Sequence, residues 1–218
     1  MSLTLVGKCP DCGQWGTLAE EIPLETSRRG AIVPARAVEP MASVDVKPEA
    51  RLSSGIDELD RVLGGGWISG SLVLLGGEPG VGKSTLLLQV CAAMAKAGHR
   101  ALYISGEESS GQLALRARRL GISERNIDLL CDSHLPSMLE TARTYEFVVI
   151  DSVQSFRLDD EGGWAGSPGQ IRAIASLVAS VMKKEAVPTV LVGHITKQGQ
   201  IAGPKTLEHM VDVVLLRG

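Results

Sequence analysis

Leu72-Val73-Leu74-Leu75-Gly76-Gly77-Glu78-Pro79-Gly80-Val81-Gly82-Lys83-Ser84-Thr85 begins with four apolar residues, turns through glycines and runs into a leucine-rich stretch at helical spacing that reaches residue 96. The spacing predicts a buried strand, a glycine-rich loop and a helix. Gly77 to Ser84 fits G-x-x-x-x-G-K-[ST], in which small residues let successive backbone N–H groups curl around a polyphosphate. Gly77, Glu78, Pro79, Gly80, Val81, Gly82, Lys83, Ser84 and Thr85 are therefore the expected phosphate-binding set. Lys83 would reach the outer phosphates. Ser84 would ligate Mg2+, an ion held by few protein groups and by phosphate oxygens. The helix that follows turns the positive end of its dipole toward the bound anion. The same letters arise by chance in surface loops; the strand before and the helix after them argue against chance here.

A chain of 218 residues, 44% of them apolar, can bury one sizeable core and a small appendage. A net charge of −3 excludes a strongly basic nucleic-acid-binding surface and leaves room for a local basic loop. No apolar window is long enough to span a bilayer, and the amino terminus lacks an export pattern, so the expected compartment is the cytoplasm. Met1-Ser2-Leu3 is compatible with an added leader. Four cysteines, at 9, 12, 91 and 131, do not make a secreted disulfide framework.

Lys8-Cys9-Pro10-Asp11-Cys12-Gly13 is a C-x-x-C turn. It reads as half of a tetrahedral zinc site, as a redox pair, or as two incidental thiols. The expected organisation is a partial zinc knuckle over 1–18, an extended proline-containing linker over 19–50 and a globular domain over 51–218. Leu52 to Leu63 offers a serine cap and apolar residues at helical spacing, closed by Gly64-Gly65-Gly66.

Ala101-Leu102-Tyr103-Ile104-Ser105 reads as a second buried strand leading into Glu107 and Glu108. In an open parallel sheet the carboxyl edge is where ligands bind, so either glutamate is a candidate for the water that attacks a terminal phosphate. Alternatively, both acids favour the start of a helix over 110–120. On that helix Arg116, Arg118 and Arg119 are expected to form a solvated face. A short strand at 127–130 and a helix at 133–144 follow, with Pro136 in its first turn. Phe147-Val148-Val149-Ile150-Asp151 places an acid after four apolar residues, as in a Walker B strand whose carboxylate serves Mg2+. Residues 153–169, including Arg157, form a long glycine-containing loop, of the kind that is functional or disordered in compact domains. A helix to about residue 185 follows, then a strand over 189–194 ending in His194, which either senses the terminal phosphate or is satisfied by its neighbours. Residues 196–205 form a second, locally basic loop, and 211–216 a closing strand. Thr196-Lys197 matches the start of a guanine-reading T-K-x-D, but Gly199 replaces the aspartate, favouring ATP over GTP.

The run over 52–60 before Gly64-Gly65-Gly66, with GGEPGVGKST and ISGEES, resembles the RecA/KaiC family of ATPases. KCPDCGQWGTL, VVIDSVQS and VGHITKQGQIAGPKTLEHMVD narrow the resemblance to the bacterial RadA (Sms) family of DNA repair and recombination proteins, over nearly all of residues 6–217. The resemblance implies an α/β fold: a RecA-like P-loop NTPase core with a mostly parallel twisted sheet flanked by helices. It also implies ATP hydrolysis stimulated by single-stranded DNA, hexameric rings, branch migration of recombination intermediates, and a recombinase or helicase partner. By position, Gly77 to Thr85 bind ATP or ADP, Asp151 serves Mg2+, and Glu107 activates water, with Glu108 as runner-up. Arg157, Lys197 and Lys205 fall on the loops that line the DNA channel. The family's zinc finger has two C-x-x-C pairs, and this chain has the second half alone, Cys9 and Cys12. The family's K-N-R-F-G motif and Lon-protease-like domain would lie after Gly218, so the chain reads as an excised ATPase core with weakened turnover and ring assembly. Two further functions compete with the motor: a nucleotide-switched assembly module of the KaiC type, and a small-molecule P-loop kinase. An arginine-rich lid would favour the kinase, and none is evident.

Overall fold

A computed structural model describes residues 40–41, 51–132, 134–159, 162–194 and 207–218. The C-x-x-C pair at Cys9 and Cys12, nearly all of the expected linker, and Lys197 and Lys205 lie outside the described residues. The chain divides into two units, Met1–Lys47 and Pro48–Gly218, and all elements below belong to the second.

In chain order the elements are α1 (Asp57–Val62), β1 (Leu72–Gly77), α2 (Lys83–Lys96), β2 (Ala101–Ser105), α3 (Ser110–Arg119), β3 (Ile127–Cys131), α4 (Leu135–Ala142), β4 (Phe147–Asp151), α5 (Pro168–Lys184), β5 (Thr189–His194) and β6 (Val213–Arg217). Among the described residues six strands form one sheet in the order β3-β2-β4-β5-β1-β6, and each pairing is parallel. Parallel strands need long crossovers, and helices packed on both faces explain why β1, β2 and β4 read as unbroken apolar runs. Alternation then divides the core. Leu72 and Leu74 face α4 and α5 with Ile150, Phe156 and Ile174, whereas Val73 and Leu75 face α2 with Trp67, Leu87, Met94 and Tyr103. Trp67 stacks obliquely on Phe147, with ring centroids 5.0 Å apart.

Register decides what the sheet presents at its carboxyl edge. Gly77 pairs with His194, and Ser105 pairs with Asp151. The start of the glycine loop, the end of β5 and the acid of β4 are thereby brought to one rim.

Two local expectations are corrected. The α1 start has no serine cap: Ile56 holds the N-cap position without a side-chain bond. Asp60, inside the helix, reaches back instead, accepting from the Ser53 hydroxyl at 2.6 Å and from Ser54 N–H at 2.7 Å. The serine oxygens accept N–H bonds one step short of the helix instead, Ser53 Oγ from Gly55 at 3.0 Å and Ser54 Oγ from Ile56 at 3.2 Å. The last strand begins at Val213, because Asp212 is occupied at its entrance: Asp212 N–H donates to Leu72 O at 2.8 Å, and its side chain accepts from Leu72 N–H and from Lys183 Nζ. Burial works against the charged form of Asp212, but those two donors outweigh it and hold the carboxyl below its ordinary value.

Helix α5 ends in a Schellman arrangement, with Val187 N–H bonded to Met182 O and Ala186 N–H to Lys183 O. That geometry puts Ala186 at φ 58°, where glycine is the usual residue. A left-handed L-residue costs about 1–2 kcal/mol, and glycine's extra chain entropy costs ~0.5–1 kcal/mol. Ala186→Gly is expected to raise the stability of the domain by about 0.5 kcal/mol, read as a higher midpoint in urea denaturation with an unchanged slope.

Candidate functional site

The loop after β1 takes its shape from glycines that cannot be replaced. Gly82 is the residue before α2 and has φ 89°. A Cβ on Gly77 would stand 2.7 Å from Arg217 O and 3.0 Å from Val81 Cγ2, so the edge strand β6 tolerates no side chain there. The helix then starts at Lys83, one residue earlier than its apolar spacing suggests.

Lys83 is 5% exposed, and burial of its ammonium pulls its pKa down against the opposing pull of Asp151 and Glu107. A buried charge requires partners. Its Nζ donates to Gly77 O at 2.8 Å and to Glu78 O at 3.0 Å, and contacts His194 Nδ1 at 3.4 Å. An ammonium only donates, so Nδ1 is the acceptor, and the imidazole proton sits on Nε2. Nε2 is 3.1 Å from Glu107 Oε1, which also accepts from the Ser152 hydroxyl. The bond from His194 is the leading cause that holds Glu107 below the ordinary glutamate range; burial opposes it, and Ser152 reinforces it. Glu107 is thus a carboxylate tied through one imidazole to the lysine of the phosphate loop.

Ser84 Oγ donates to Asp151 Oδ2 at 2.7 Å, and the Asp151–Ser152 peptide is cis. Glu108 turns away from its neighbour. Its N–H donates to Ser105 Oγ, and its carboxylate pairs with Arg116 Nη1 at 2.7 Å. The expected solvated face of α3 is therefore corrected at Arg116, which comes over the rim to meet Glu108. Neither acid lies in the first turn of α3, whose start is closed by a Ser109–Gln112 capping box.

Pro79, Gly80, Gly82, Lys83, Ser84, Thr85, Glu107, Glu108, Arg116, Asp151 and His194 line one cavity of about 290 Å3. A larger hollow of about 710 Å3, bordered by Pro136, Leu158 and Leu177, contains none of them. The charges and the glycine-rich loop converge on the smaller one. Arg157 lies outside it, more than half exposed and 3.8 Å from Asp159. Among the described residues no group of three His, Cys, Asp or Glu is placed to hold a metal ion. Cys91 is buried in α2, and Cys131 is exposed at the end of β3. A serine hydroxyl beside one carboxylate is a donor set that fits Mg2+, which takes one or two protein oxygens and fills its shell with water and phosphate.

Sequence reading missed Ser152, Arg116 and Tyr103, whose hydroxyl lies 2.5 Å from Asp151 Oδ2. Same-face parity in β2 and β4 carries the signal for Tyr103; Ser152 and Arg116 depend on how loop and helix return to the rim.

A parallel sheet in this order, with a glycine-rich phosphate loop between β1 and α2 and an acid at the end of β4, defines a RecA-like P-loop nucleoside-triphosphatase core. The chain belongs to the AAA domain family, whose profile matches residues 35–200. It is similar to the DNA repair protein RadA of Mycobacterium tuberculosis H37Rv, with 45% identity over 222 residues, 99% of this chain and 46% of that protein. It is also similar to RadA of Bacillus subtilis 168, with 42% identity over 218 residues, 96% of this chain and 48% of that protein. The chain thus spans about half the length of the curated relatives it matches. A KaiC-like protein of Pyrococcus horikoshii OT3 has the same fold, with a TM-score of 0.63 and 23% identity over 78% of this chain and 82% of that one. No helix among the described residues is long and apolar enough to cross a membrane.

The tie between His194 and Glu107 has a direct consequence. In His194→Ala the leading donor to Glu107 is gone, so its carboxyl should titrate at higher pH, toward its ordinary value of 4.5. A 13C NMR titration of the glutamate side chains reads the shift.

Proposed function

We propose that this domain binds ATP with Mg2+ and hydrolyses it, and that single-stranded DNA accelerates the turnover, in the manner of a recombination and repair motor. The observation that carries the reading is the chain Lys83, His194, Glu107 across one cavity, with Ser152 donating to Glu107 and with Ser84 and Asp151 beside it. Each member matches a task of phosphoryl transfer.

The backbone N–H groups from Gly80 to Thr85 cradle the phosphates, and Lys83 exchanges a carbonyl partner for a phosphate oxygen. Asp151 and Ser84 hold the ion's shell. Mg2+, when bound, neutralises charge on the β- and γ-phosphate oxygens. Glu107 is already ionised and on the same rim, so it orients the attacking water and takes its proton. His194 keeps that carboxylate turned inward through Nε2–H and senses the terminal phosphate through the Lys83 contact at Nδ1. Glu108, paired with Arg116, is the supporting acid and not the base.

The DNA reading is supported by the RadA relatives and by the segment after β4, on the rim that carries the site. There Trp164 is 76% exposed and Arg157 more than half exposed, a stacking ring and a cation of the kind that follows a single strand. Lys197 and Lys205 belong to the same reading, as do branch migration, a ring of six subunits, a recombinase or helicase partner and a cytoplasmic site of action. Zinc at Cys9 and Cys12 belongs to it too, completed by the family's other pair.

Glu107→Gln is expected to bind ATP with nearly unchanged affinity and to lose at least about a hundredfold in phosphate release, while Glu108→Gln keeps most of the rate. The reverse pattern would exchange the two roles. Lys83→Ala should weaken binding of a non-hydrolysable ATP analogue by about tenfold or more, the scale of one charged hydrogen bond, measured by calorimetry. Single-stranded DNA should raise the parent's rate, with an effect that fades as salt is added. A rate indifferent to DNA at every salt concentration would favour the nucleotide-switched module.

A further inference from the structure

Tyr103 sits in the middle of β2, fully buried, among the side chains that receive α2: Leu87, Cys91 and Phe147 belong to the same apolar cluster. Phenylalanine would fill that space without a polar atom, and a buried phenol demands a partner. It has one. The hydroxyl donates at 2.5 Å to Asp151 Oδ2, the oxygen that also takes the Ser84 proton at 2.7 Å.

The meeting is set by register. β2 and β4 run parallel with Tyr103 opposite Val149 and Ser105 opposite Asp151, so Tyr103 and Asp151 share a face, offset by two residues along the pair. A ring pointing along the sheet toward the carboxyl edge brings its oxygen to the acid. Burial, and next the charge of Asp151, push the phenol's pKa well above its ordinary value, so the group remains a donor.

We propose that Tyr103 is a positioning residue for the magnesium shell: its hydroxyl pins Oδ2 of Asp151, sets the rotation of that carboxylate and leaves Oδ1 to the ion's water. A serine hydroxyl has one proton and two lone pairs. Ser84 can therefore turn a lone pair to the ion while its proton stays on Asp151, provided something else holds the acid in place. Tyr103 is that anchor, fixed by packing and not by the ligand, and outer-shell partners of this kind commonly account for one to two orders of magnitude in metal affinity.

The inference rests on the ATP and Mg2+ reading above, and its test separates the two. Binding of a non-hydrolysable ATP analogue is measured by calorimetry over a Mg2+ series and in EDTA, for the parent and Tyr103→Phe. The half-saturating Mg2+ concentration should rise about tenfold in the variant, while affinity in EDTA stays the same. An unchanged half-saturation, or an equal loss with and without the ion, overturns the inference. A parent whose binding is indifferent to Mg2+ overturns the underlying reading as well. If Tyr103→Phe does not fold, the chain's having only two tyrosines provides a second route. With Tyr145→Phe, one 13Cζ tyrosine resonance remains. It should move when Mg2+ is added to the analogue-bound protein, and a resonance that ignores the ion sinks the proposal.

Discussion

The ammonium of Lys83 is the constraint around which this domain is arranged. The residue is 5% exposed and lines the cavity, and a largely desolvated charge must have its protons placed. Two go to the carbonyls of Gly77 and Glu78, which bends the loop back over the end of β1, and the third faces His194 at the end of β5. The lysine thus joins the glycine loop to a neighbouring strand before any anion arrives.

From that contact the rest of the rim follows by hydrogen-bond polarity. A lysine that only donates makes Nδ1 of His194 an acceptor, which places the imidazole proton on Nε2 and aims it at Glu107. Glu107 is kept charged and turned inward, and Ser152, next to Asp151, completes its coordination by donors. Glu108 is withdrawn by Arg116. Two adjacent acids of the same chemistry are therefore set apart by their partners alone.

The fold supplies the platform on which these short links close. Because every pairing in the sheet is parallel, the strands end at one side, and Gly77 pairs with His194 as Ser105 does with Asp151. A slip of one residue in β4 would turn Asp151 to the opposite face, away from Ser84 and Tyr103. The packing of α2 on Tyr103, Phe147 and Trp67 is thus also what fixes the position of the acid.

Much of this was legible in the residues by themselves. The phosphate loop, the strand before it and the acid after Ile150 depend on local spacing, since glycine, lysine and an apolar run each have few ways to satisfy backbone and charge at that order of residues. The order β3-β2-β4-β5-β1-β6, the parting of Glu107 from Glu108, the return of Arg116 to the rim and the meeting of Tyr103 with Asp151 were decided only in three dimensions. Those features join residues far apart in the chain, and no local pattern encodes which strand lies beside which. The return of Asp60 to Ser53 and Ser54 belongs with them, because which donors meet one carboxylate is settled by distance and not by residue order.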